Sequence, residues 1–455
     1  MPKVTIILPS LNVAAYIREC IESVIHQTMT DIEILCIDAG STDGTCGIIK
    51  EYAEKDNRIR YIPSGKKSYG YQINLGIDMA RGEYLGIVET DDSVEPDMYD
   101  TLYRAAVERD LDFVKAGFYT MVTPYPGERY LLEQPLRDTE RIISSGYFLE
   151  KCLAQDIYIW NGIYKMSFLR EFHIRLNESP GAAFQDCGFR YLVDMNLRRG
   201  MFLNELFYHY RRDNAAASTY NPRFAEYNLA ECNYIRETMQ ENGIADRERK
   251  AFMARETVMM AFTPYITFRE HSRPNEEILC ALDKFRKIIM DDRERGLLRQ
   301  EEMFPGHWVE MRLFTEQPEA YEAYVAIKAE TEYNIYNNFV QKMTEKKQIV
   351  IFCTGKAAKF AMCLLRMNRL ENIVALCDNN KEKWGKKCYG HEVLPPREAF
   401  NRYPDAHYLV AKKANPEEIV QQLMDYGVIK EQISVYKLPL DAFGCTHLFM
   451  RGLQN

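Results

Sequence analysis

The sequence of 455 residues lacks several features that would place it in a common class of protein. No window approaches the ~20 apolar residues needed to span a bilayer, and the first residues lack the segments of a signal peptide. The 12 cysteines include no Cys-x-x-Cys pair, the usual spacing of a zinc or redox site. We therefore expect a cytoplasmic protein with reduced cysteines and at most peripheral contact with the inner face of the membrane.

Positive charge is also scarce. Lys and Arg number 58 against 66 Asp and Glu, a formal net charge of −8. Nucleic-acid binders normally carry the opposite sign, so no nucleic-acid partner is expected. Hydrophobic residues make up 46% and charged residues 27%, which is typical of a globular chain with ample material for a core. At ~150 residues per domain, the length predicts about three domains or two large ones.

Strands and helices alternate over the first ~120 residues. Short apolar runs predict buried strands at 4–8, 32–37, 59–62 and 84–88, and helical spacing of apolar residues predicts helices between them. Asn12 is expected to cap the first of these helices. This alternation predicts an α/β fold with a doubly wound, mostly parallel sheet, whose ligands bind outside the carboxyl ends of the strands.

Composition changes along the rest of the chain. We assign residues 1–221 to the first α/β domain and 222–345 to a helical segment rich in Glu, Met, Ala and Arg. A second, smaller α/β domain is predicted at 346–440, followed by a tail at 441–455. The sequence gives no function for the helical segment.

Polar side chains follow three of the predicted strands. The fourth strand runs into Glu89-Thr90-Asp91-Asp92, and two adjacent carboxylates repel each other unless they share a cation. A divalent ion such as Mg²⁺ or Mn²⁺ is the expected partner, and a plain polar turn is the alternative. Asp38 opens a Gly-Ser-Thr-Asp-Gly turn after the second strand, and Pro9-Ser10-Leu11-Asn12 follows the first. Together they predict a ligand site at one edge of the sheet.

These pieces, in this order, resemble the glycosyltransferase family 2 proteins, which are inverting enzymes of the GT-A fold. The resemblance covers roughly the first 220 residues. The matching segments are Pro9-Ser10-Leu11-Asn12, Cys20-Ile21-Glu22-Ser23-Val24 with Gln27-Thr28, Asp38-Ala39-Gly40-Ser41-Thr42-Asp43-Gly44-Thr45, Asn74-Leu75-Gly76, Ala80-Arg81-Gly82-Glu83-Tyr84 and Asp91-Asp92.

The resemblance implies roles for matching positions. Asp91 and Asp92 would hold Mg²⁺ or Mn²⁺ on the diphosphate of a sugar nucleotide. Asp186 stands where the family places a catalytic base, although the usual preceding acid is here Gln185; a helix-capping aspartate is the alternative. The implied contacts to the nucleotide sugar are Pro9, Asn12, Asp38, Asn74 and Asp91.

Three departures from the family pattern concern the donor. Leu11 and Ala39 replace an aromatic residue and an aspartate that often contact a uracil, so a UDP donor does not follow from the resemblance. Ile73 replaces a common arginine. Lys67, beside Lys66, is a candidate replacement because a cation near phosphate needs position more than a fixed fork; a solvated basic loop is the alternative.

Residues after 150 supply candidates for the acceptor side. Trp160 is one, because an indole face suits the C–H face of a sugar, but a core tryptophan is the favoured alternative. Arg211, with Arg212, is a candidate for a diphosphate or lipid phosphate. His209 is a candidate metal ligand, although a lone histidine on a strand is more often structural.

The second α/β domain resembles the Rossmann-like nucleotide-binding modules of some sugar-modifying enzymes. Gly355 and Asp378 lie 378 − 355 = 23 residues apart, close to the ~20-residue interval between a phosphate-binding glycine and a ribose-binding acid. Only one glycine of the three-glycine pattern is present, so a structural or partner-docking role stays open.

The sequence therefore predicts a metal-dependent inverting glycosyltransferase that moves a sugar from a nucleoside-diphosphate sugar to a hydroxyl of a glycan or lipid-linked acceptor. Cell-surface polysaccharide synthesis is the process that the resemblance suggests. The alternatives are a catalytically silent sugar-nucleotide-binding or scaffold protein and a nucleotidyltransferase. The latter needs a Gly-rich phosphate loop after the first strand, where Pro9-Ser10-Leu11-Asn12 stands instead.

Overall fold

The structure is a computed structural model that describes residues 1–125, 127–151, 158–214, 223–267 and 276–438. The predicted tail at 441–455 lies outside these residues. Packing divides the chain into two units, one formed by residues 1–119 and 133–325 and the other by 120–132 and 326–455. The domain boundaries drawn from the sequence stay a prediction.

Ten strands of the described residues form one large sheet. Its order is β3-β2-β1-β4-β9-β6-β10-β5, with β7 paired to β6 and β8 to β10. The strands are β1 (Val4–Ser10), β2 (Ile32–Asp38), β3 (Ile59–Pro63), β4 (Tyr84–Ile87), β5 (Ser93–Val94), β6 (Phe113–Tyr125), β7 (Glu128–Gln134), β8 (Ile142–Ile143), β9 (Gly162–Lys165) and β10 (Gly200–Arg211).

The predicted parallel part of the sheet is confirmed. β1 pairs in parallel with β2 and β4, and β2 with β3, whereas β9 runs antiparallel to β4 and β6. Every residue of β1 and β2 is buried because the sheet packs apolar side chains on both faces, as expected of central parallel strands. The carboxyl ends of β1, β2 and β4 meet at one edge, where the candidate site lies.

Eleven helices of the described residues belong to the first unit, and a twelfth runs from it into the second. They are α1 (Ile17–Ile25), α2 (Thr45–Lys55), α3 (Tyr69–Met79), α4 (Met98–Glu108), α5 (Ser145–Lys151), α6 (Met166–Glu171), α7 (Gln185–Asn196), α8 (Phe224–Glu241), α9 (Arg247–Thr267), α10 (Glu276–Glu294), α11 (Pro305–Glu316) and α12 (Pro318–Thr344).

The prediction that Asn12 caps α1 is wrong. The helix begins at Ile17, directly after Tyr16. Asn12 has a positive φ of 55°, which asparagine tolerates better than most residues. Its Oδ1 accepts a hydrogen bond from the Thr42 amide at 2.9 Å, so it joins the turn after β1 to the turn after β2.

The second unit holds a six-stranded sheet of order β13-β14-β12-β11-β15-β16, within the described residues. All its pairings are parallel except β13 with β14. Its strands are β11 (Ile349–Phe352), β12 (Ile373–Cys377), β13 (Lys387–Cys388), β14 (His391–Leu394), β15 (His407–Val410) and β16 (Ile433–Val435), and its helices α13 (Lys356–Met367), α14 (Pro396–Arg402) and α15 (Pro416–Asp425).

Candidate active site

An acidic loop formed by residues 89–92 follows β4 at the carboxyl edge of the large sheet. Two hydrogen bonds tie it to the end of β1: the Val88 amide donates to the Ile7 carbonyl at 3.0 Å, and the Thr90 hydroxyl donates to the Pro9 carbonyl at 2.7 Å. The Asp92 amide donates to the Glu89 carbonyl at 3.0 Å and closes the turn. The loop therefore presents three carboxyl groups within four residues.

Asp92, the last residue of this loop, is buried with 1% of its surface exposed. Its Oδ2 accepts a hydrogen bond from the Tyr208 hydroxyl at 2.8 Å, and its Oδ1 accepts one from the Arg211 amide at 2.7 Å. Burial raises the pKa of Asp92 well above its usual range, and the neighbouring Asp91 raises it further. The anionic form of Asp92 is therefore poorly stabilised by the protein alone.

Glu89 is a site residue to which the sequence analysis assigned no role of its own. Its Oε1 accepts a hydrogen bond from the Tyr69 hydroxyl at 2.5 Å. Burial raises the pKa of Glu89 to about 8, and repulsion from Asp91 and Asp186 acts in the same direction. Its place immediately before Asp91 and Asp92, at the end of a buried strand, was the available signal. The sequence contains no such signal for Tyr69, because only the fold brings its hydroxyl next to Glu89.

Tyr208 and Arg211 hold the acidic loop from β10. The Tyr208 hydroxyl also accepts a hydrogen bond from the Glu89 amide at 2.9 Å, so it bridges Glu89 and Asp92. Arg211 donates from Nε to the Asp91 carbonyl and from Nη2 to Glu19, both at 2.8 Å. The Arg211 side chain therefore contacts both the acidic loop and Glu19. Its predicted acceptor role stays a prediction.

Asp91 is partly exposed, and its Oδ2 accepts a hydrogen bond from the Asn214 side chain at 2.7 Å. The described residues contain no group of three or more His, Cys, Asp or Glu side chains placed to hold a metal ion. An all-protein cage is not what Mg²⁺ usually requires, however, because it is commonly bound by one or two carboxylates together with substrate phosphates. Asp91 and Asp92 fit that pattern, since they are adjacent oxygen donors that repel each other.

Asp186 lies in the first turn of α7, close enough to Glu89 and Tyr69 to interact with them electrostatically. The protein surrounding it raises its pKa, and hydrogen bonds from its own amide and that of Cys187 partly oppose this. Its charge contributes to the raised pKa values of both Glu89 and Tyr69, so it lies within electrostatic range of the acidic loop. The roles of Asp186 as a base and of Asp91 and Asp92 as metal ligands stay predictions.

Gln185 stands at the position where the family usually has an acid. It is buried, and its side chain forms hydrogen bonds with backbone groups. Its side-chain amide donates to the Ser179 and Gly181 carbonyls, and its Oε1 accepts a hydrogen bond from the Ala183 amide at 2.8 Å. The residue immediately before α7, Phe184, has a positive φ of 64°. Gln185 therefore shapes the loop that enters α7 and carries Asp186.

Asp38 is satisfied within its own turn. It accepts hydrogen bonds from the amides of Gly40 and Ser41, both at 2.9 Å, from the Ser41 hydroxyl at 2.6 Å and from the Cys46 thiol at 3.1 Å. Asn12 bonds the same turn, as described above. The predicted contacts of Pro9, Asn12 and Asp38 with a nucleotide stay predictions, and the structure places all three at the edge that carries the acidic loop.

Asn74 and Lys67 flank a segment formed by residues 174–181. The Asn74 side chain donates to the Leu176 carbonyl at 2.9 Å and accepts from its amide at 3.0 Å. Lys67 is exposed, and its carbonyl accepts from the Gly181 amide at 2.9 Å. Neighbouring Lys66 pairs with Glu178 at 2.9 Å. Lys67 therefore remains the candidate cation of this loop.

Trp160 is 4% exposed and packs in an aromatic cluster. Its ring stacks on Tyr208 with centroids 4.0 Å apart and on Tyr158 at 4.5 Å. This is the core position that the sequence analysis favoured. His209 Nε2 lies 2.8 Å from Glu95, a contact of the kind expected of a structural histidine.

The equivalent edge of the second unit differs from the acidic loop. Asp378 follows β12, and its Oδ2 accepts hydrogen bonds from the Thr354 amide and hydroxyl at 2.9 and 2.6 Å and from Lys383 at 3.2 Å. Although burial raises the pKa of Asp378, these hydrogen bonds lower it overall. Its carboxylate is saturated by its own neighbours, and nucleotide binding by this unit stays a prediction.

Comparison with known proteins is consistent with this geometry. Residues 5–171 match the model of glycosyl transferase family 2. Residues 5–171 are thus similar to family 2 glycosyltransferases, and they contain β1, β2 and β4 and the acidic loop. Residues 345–434 match the model called C2185-like, N-terminal.

Proteins similar to this region come from several bacteria. An uncharacterized glycosyltransferase, EpsJ of Bacillus subtilis, is 31% identical over 218 residues, which is 47% of this chain and 62% of EpsJ. YibD of Escherichia coli K12, also an uncharacterized glycosyltransferase, is 28% identical over 274 residues, 58% of this chain and 76% of its own. The chain spans less than two thirds of the length of EpsJ and of two pneumococcal glycosyltransferases that it matches, GlyA and GlyG.

Solved structures share the fold. Staphylococcus aureus TarS, residues 1–349 in complex with UDP-GlcNAc, superposes with a TM-score of 0.54 at 17% identity, over 73% of this chain and 91% of TarS. This similarity confirms the predicted GT-A architecture of the large sheet. Among the described residues, no helix combines the length and the apolar character needed to cross a bilayer.

Proposed function

We propose that the first unit transfers a sugar from a nucleoside-diphosphate sugar to a hydroxyl acceptor, with inversion at the anomeric carbon and with the help of a divalent metal ion. The observation that carries this proposal is the juxtaposition of the acidic loop and Asp186. Their carboxyl groups come from segments about 95 residues apart in sequence, yet repulsion from Asp186 contributes to the raised pKa of Glu89.

Asp186 is the proposed general base. A carboxylate at the face opposite the leaving group accepts the proton of the acceptor hydroxyl as the oxygen attacks the anomeric carbon, which typically contributes ~10²–10⁴ in rate. A raised pKa makes Asp186 a stronger base than an exposed aspartate. A single displacement then inverts the configuration, through charge development like that in glycoside hydrolysis.

Asp91 and Asp92 are the proposed ligands of Mg²⁺ or Mn²⁺. When bound, the ion supplies Lewis-acid stabilisation of the departing diphosphate. Tyr208 and Arg211 fix the orientation of these carboxyl groups through the hydrogen bonds described above. Lys67 is the proposed additional cation near the phosphates, and Pro9, Asn12, Asp38 and Asn74 shape the nucleotide pocket around them.

The relatives guide the choice of substrate. TarS has been crystallised with UDP-GlcNAc, and one relative is a chondroitin synthase of Escherichia coli, 39% identical over 97 residues, 21% of this chain and 14% of that protein. These matches support a nucleotide-sugar donor and a glycan acceptor, and hence a part in polysaccharide synthesis. Because Leu11 and Ala39 depart from the usual uracil contacts, the nucleobase has to be measured.

The test is a transfer assay on the full chain with UDP-, GDP-, CDP- and dTDP-sugars, Mn²⁺ or Mg²⁺, and oligosaccharide acceptors. With a competent pair, we expect Asp91→Asn and Asp92→Asn to lose metal-dependent turnover. Asp112→Asn is the control because Asp112 is also buried, with 5% of its surface exposed, but pairs with Arg198, away from the acidic loop. Full turnover in both loop variants, or full activity in EDTA, would remove the metal from the proposal.

A further inference from the structure

A glycine in α7 marks a contact between this helix and α8. Glycine in a helix costs about 1 kcal/mol relative to alanine, so Gly188 calls for a packing reason. A Cβ built on Gly188 would lie 2.2 Å from Oε1 of Glu231, an impossible approach. The space that an alanine methyl group would fill is therefore taken by the carboxyl group of Glu231.

Glu231 reaches this position from α8, and only 1% of its surface is exposed. Its Oε1 accepts a hydrogen bond from the Gly188 amide at 3.1 Å, and its Oε2 accepts one from the Asn177 side chain at 3.1 Å. Amides in the first turn of a helix have no partner within the helix, so a side-chain acceptor stabilises them. Glu231 thus binds the same helical turn that carries Asp186.

Asn177 connects this contact to the opposite wall of the site. The Asn177 carbonyl lies 1.8 Å from where a Cβ of Gly70 would be, so the segment is pressed against the first turn of α3. That turn begins with Tyr69, which donates its backbone amide to the Gly181 carbonyl at 2.9 Å and its hydroxyl to Glu89. A continuous series of contacts therefore runs from Glu89 through α3 and residues 177–181 to Glu231 and α7.

We propose that Glu231 is a positioning residue of the transfer reaction, which joins residues 177–181 to the first turn of α7 and so holds Asp186 at a fixed distance from the acidic loop. The proposal rests on the function proposed above and assigns a role to the helical segment. Electrostatics support it: burial raises the pKa of Glu231 to about 8, and repulsion from Asp186 acts in the same direction. A carboxyl group that remains protonated near neutral pH fills this position without adding a full negative charge beside Asp186.

The charged and titratable groups that face Asp186 are Glu89, Tyr69, Cys187, Arg190 and Glu231. Changing Glu231 alone leaves the other four in place. We therefore test the contact by two single variants that disrupt it from opposite sides, Glu231→Ala, which removes both acceptor oxygens, and Gly188→Ala, and by the double variant. Asp292→Asn is the matched control, because Asp292 is also 1% exposed but pairs with Arg236 within the helical segment.

The first readout is hydrogen exchange of the peptide that contains residues 183–190, which does not depend on activity. We expect both single variants to raise its exchange rate at least tenfold, and Asp292→Asn to leave it unchanged. Unchanged exchange in both single variants overturns the proposal. An absence of transfer in the wild-type protein would instead count against the proposed function, so the two failures are distinguishable.

The second readout is steady-state kinetics. We expect each single variant to lower kcat by about tenfold with little change in the KM of the donor, and the double variant to be no worse than Gly188→Ala, because both changes remove one contact. Additive losses, or an equal loss in Asp292→Asn, would show a general effect on folding and would overturn the positioning role. If Glu231→Ala does not fold, Gly188→Ala alone decides both readouts.

Discussion

Both sheets of this protein carry acidic residues at the ends of parallel strands, but Asp378 and the acidic loop differ in how their carboxyl groups are satisfied. At the edge of the second unit, Asp378 is surrounded by donors, and these hydrogen bonds lower its pKa. At the edge of the large sheet, Glu89, Asp91 and Asp92 are close together, and burial and repulsion raise the pKa of Glu89 to about 8. The comparison shows that a carboxylate bonded by its own neighbours has a lowered pKa, whereas the buried carboxyl groups of Glu89 and Asp92 have raised pKa values.

The largest expected effect concerns the proposed base, Asp186. Asp186→Asn removes the proton acceptor and keeps the size of the side chain. We expect kcat to fall by ~10²–10⁴ while the affinity for a nucleoside diphosphate stays within about twofold, because the base acts on the acceptor. Single-turnover kinetics with a competent donor and acceptor measure this. Wild-type turnover would exclude Asp186 as the base.

A smaller effect is expected from the hydroxyl group that bridges Glu89 and Asp92. Tyr208→Phe removes the donor to Asp92 and the acceptor for the Glu89 amide but keeps the stacking on Trp160. Partners that orient metal ligands are typically worth 10–100-fold in metal affinity, and we expect a loss in that range for Mn²⁺ titrated in the presence of nucleoside diphosphate. Tyr84→Phe, which removes a buried hydroxyl bonded to the Leu111 carbonyl, is the control.

Asp378→Asn tests the role of the aspartate at the edge of the second unit. The substitution weakens a carboxylate that accepts from Thr354, Asn380 and Lys383, so we expect the free energy of unfolding of the second unit to fall by about 1–3 kcal/mol. Transfer activity and metal-dependent donor binding should be unchanged. Denaturant titration measures the first effect, and a loss of donor binding in this variant would contradict the distinction between the two edges.

The smallest effect concerns the pH dependence of stability. The pKa of Glu231 is about 8 in the folded protein, above its unfolded value of about 4.3. Its contribution to stability is thus complete below about pH 4 and is lost as the pH rises through about 8. Glu231→Gln does not ionise, so we expect its stability relative to wild type to improve between pH 6 and pH 9. Thermal melts across that range test this, and parallel curves would contradict the raised pKa.

Much of the first sheet followed from local pattern. The buried runs of β1 and β2 are long and apolar, and the strands predicted at 32–37 and 59–62 agree with β2 and β3 to within one residue. The acidic loop was also predictable because its carboxyl groups are adjacent in sequence. Short strands such as β5 and β8 were not, since two residues carry no periodicity and pair only through β10.

Contacts between distant segments could not be predicted from the sequence, for a different reason. Tyr69 bonds Glu89 20 residues away, and Glu231 bonds Gly188 43 residues away. Neither tyrosine nor glutamate is unusual at a helical position, and no local pattern tells which neighbour the fold brings near. Asn12 failed as a cap for the same reason, because its acceptor bonds Thr42 in another turn.

The central claim is that the acidic loop binds a divalent ion together with a nucleoside diphosphate. Isothermal titration of the wild-type protein and of Asp91→Asn with UDP, GDP, CDP and dTDP, each with and without Mn²⁺, tests it most directly. We predict that one diphosphate binds the wild-type protein at least tenfold more tightly with Mn²⁺ and that this gain disappears in Asp91→Asn. Equal affinities with and without Mn²⁺ for every nucleotide, or an undiminished gain in the variant, would contradict the account.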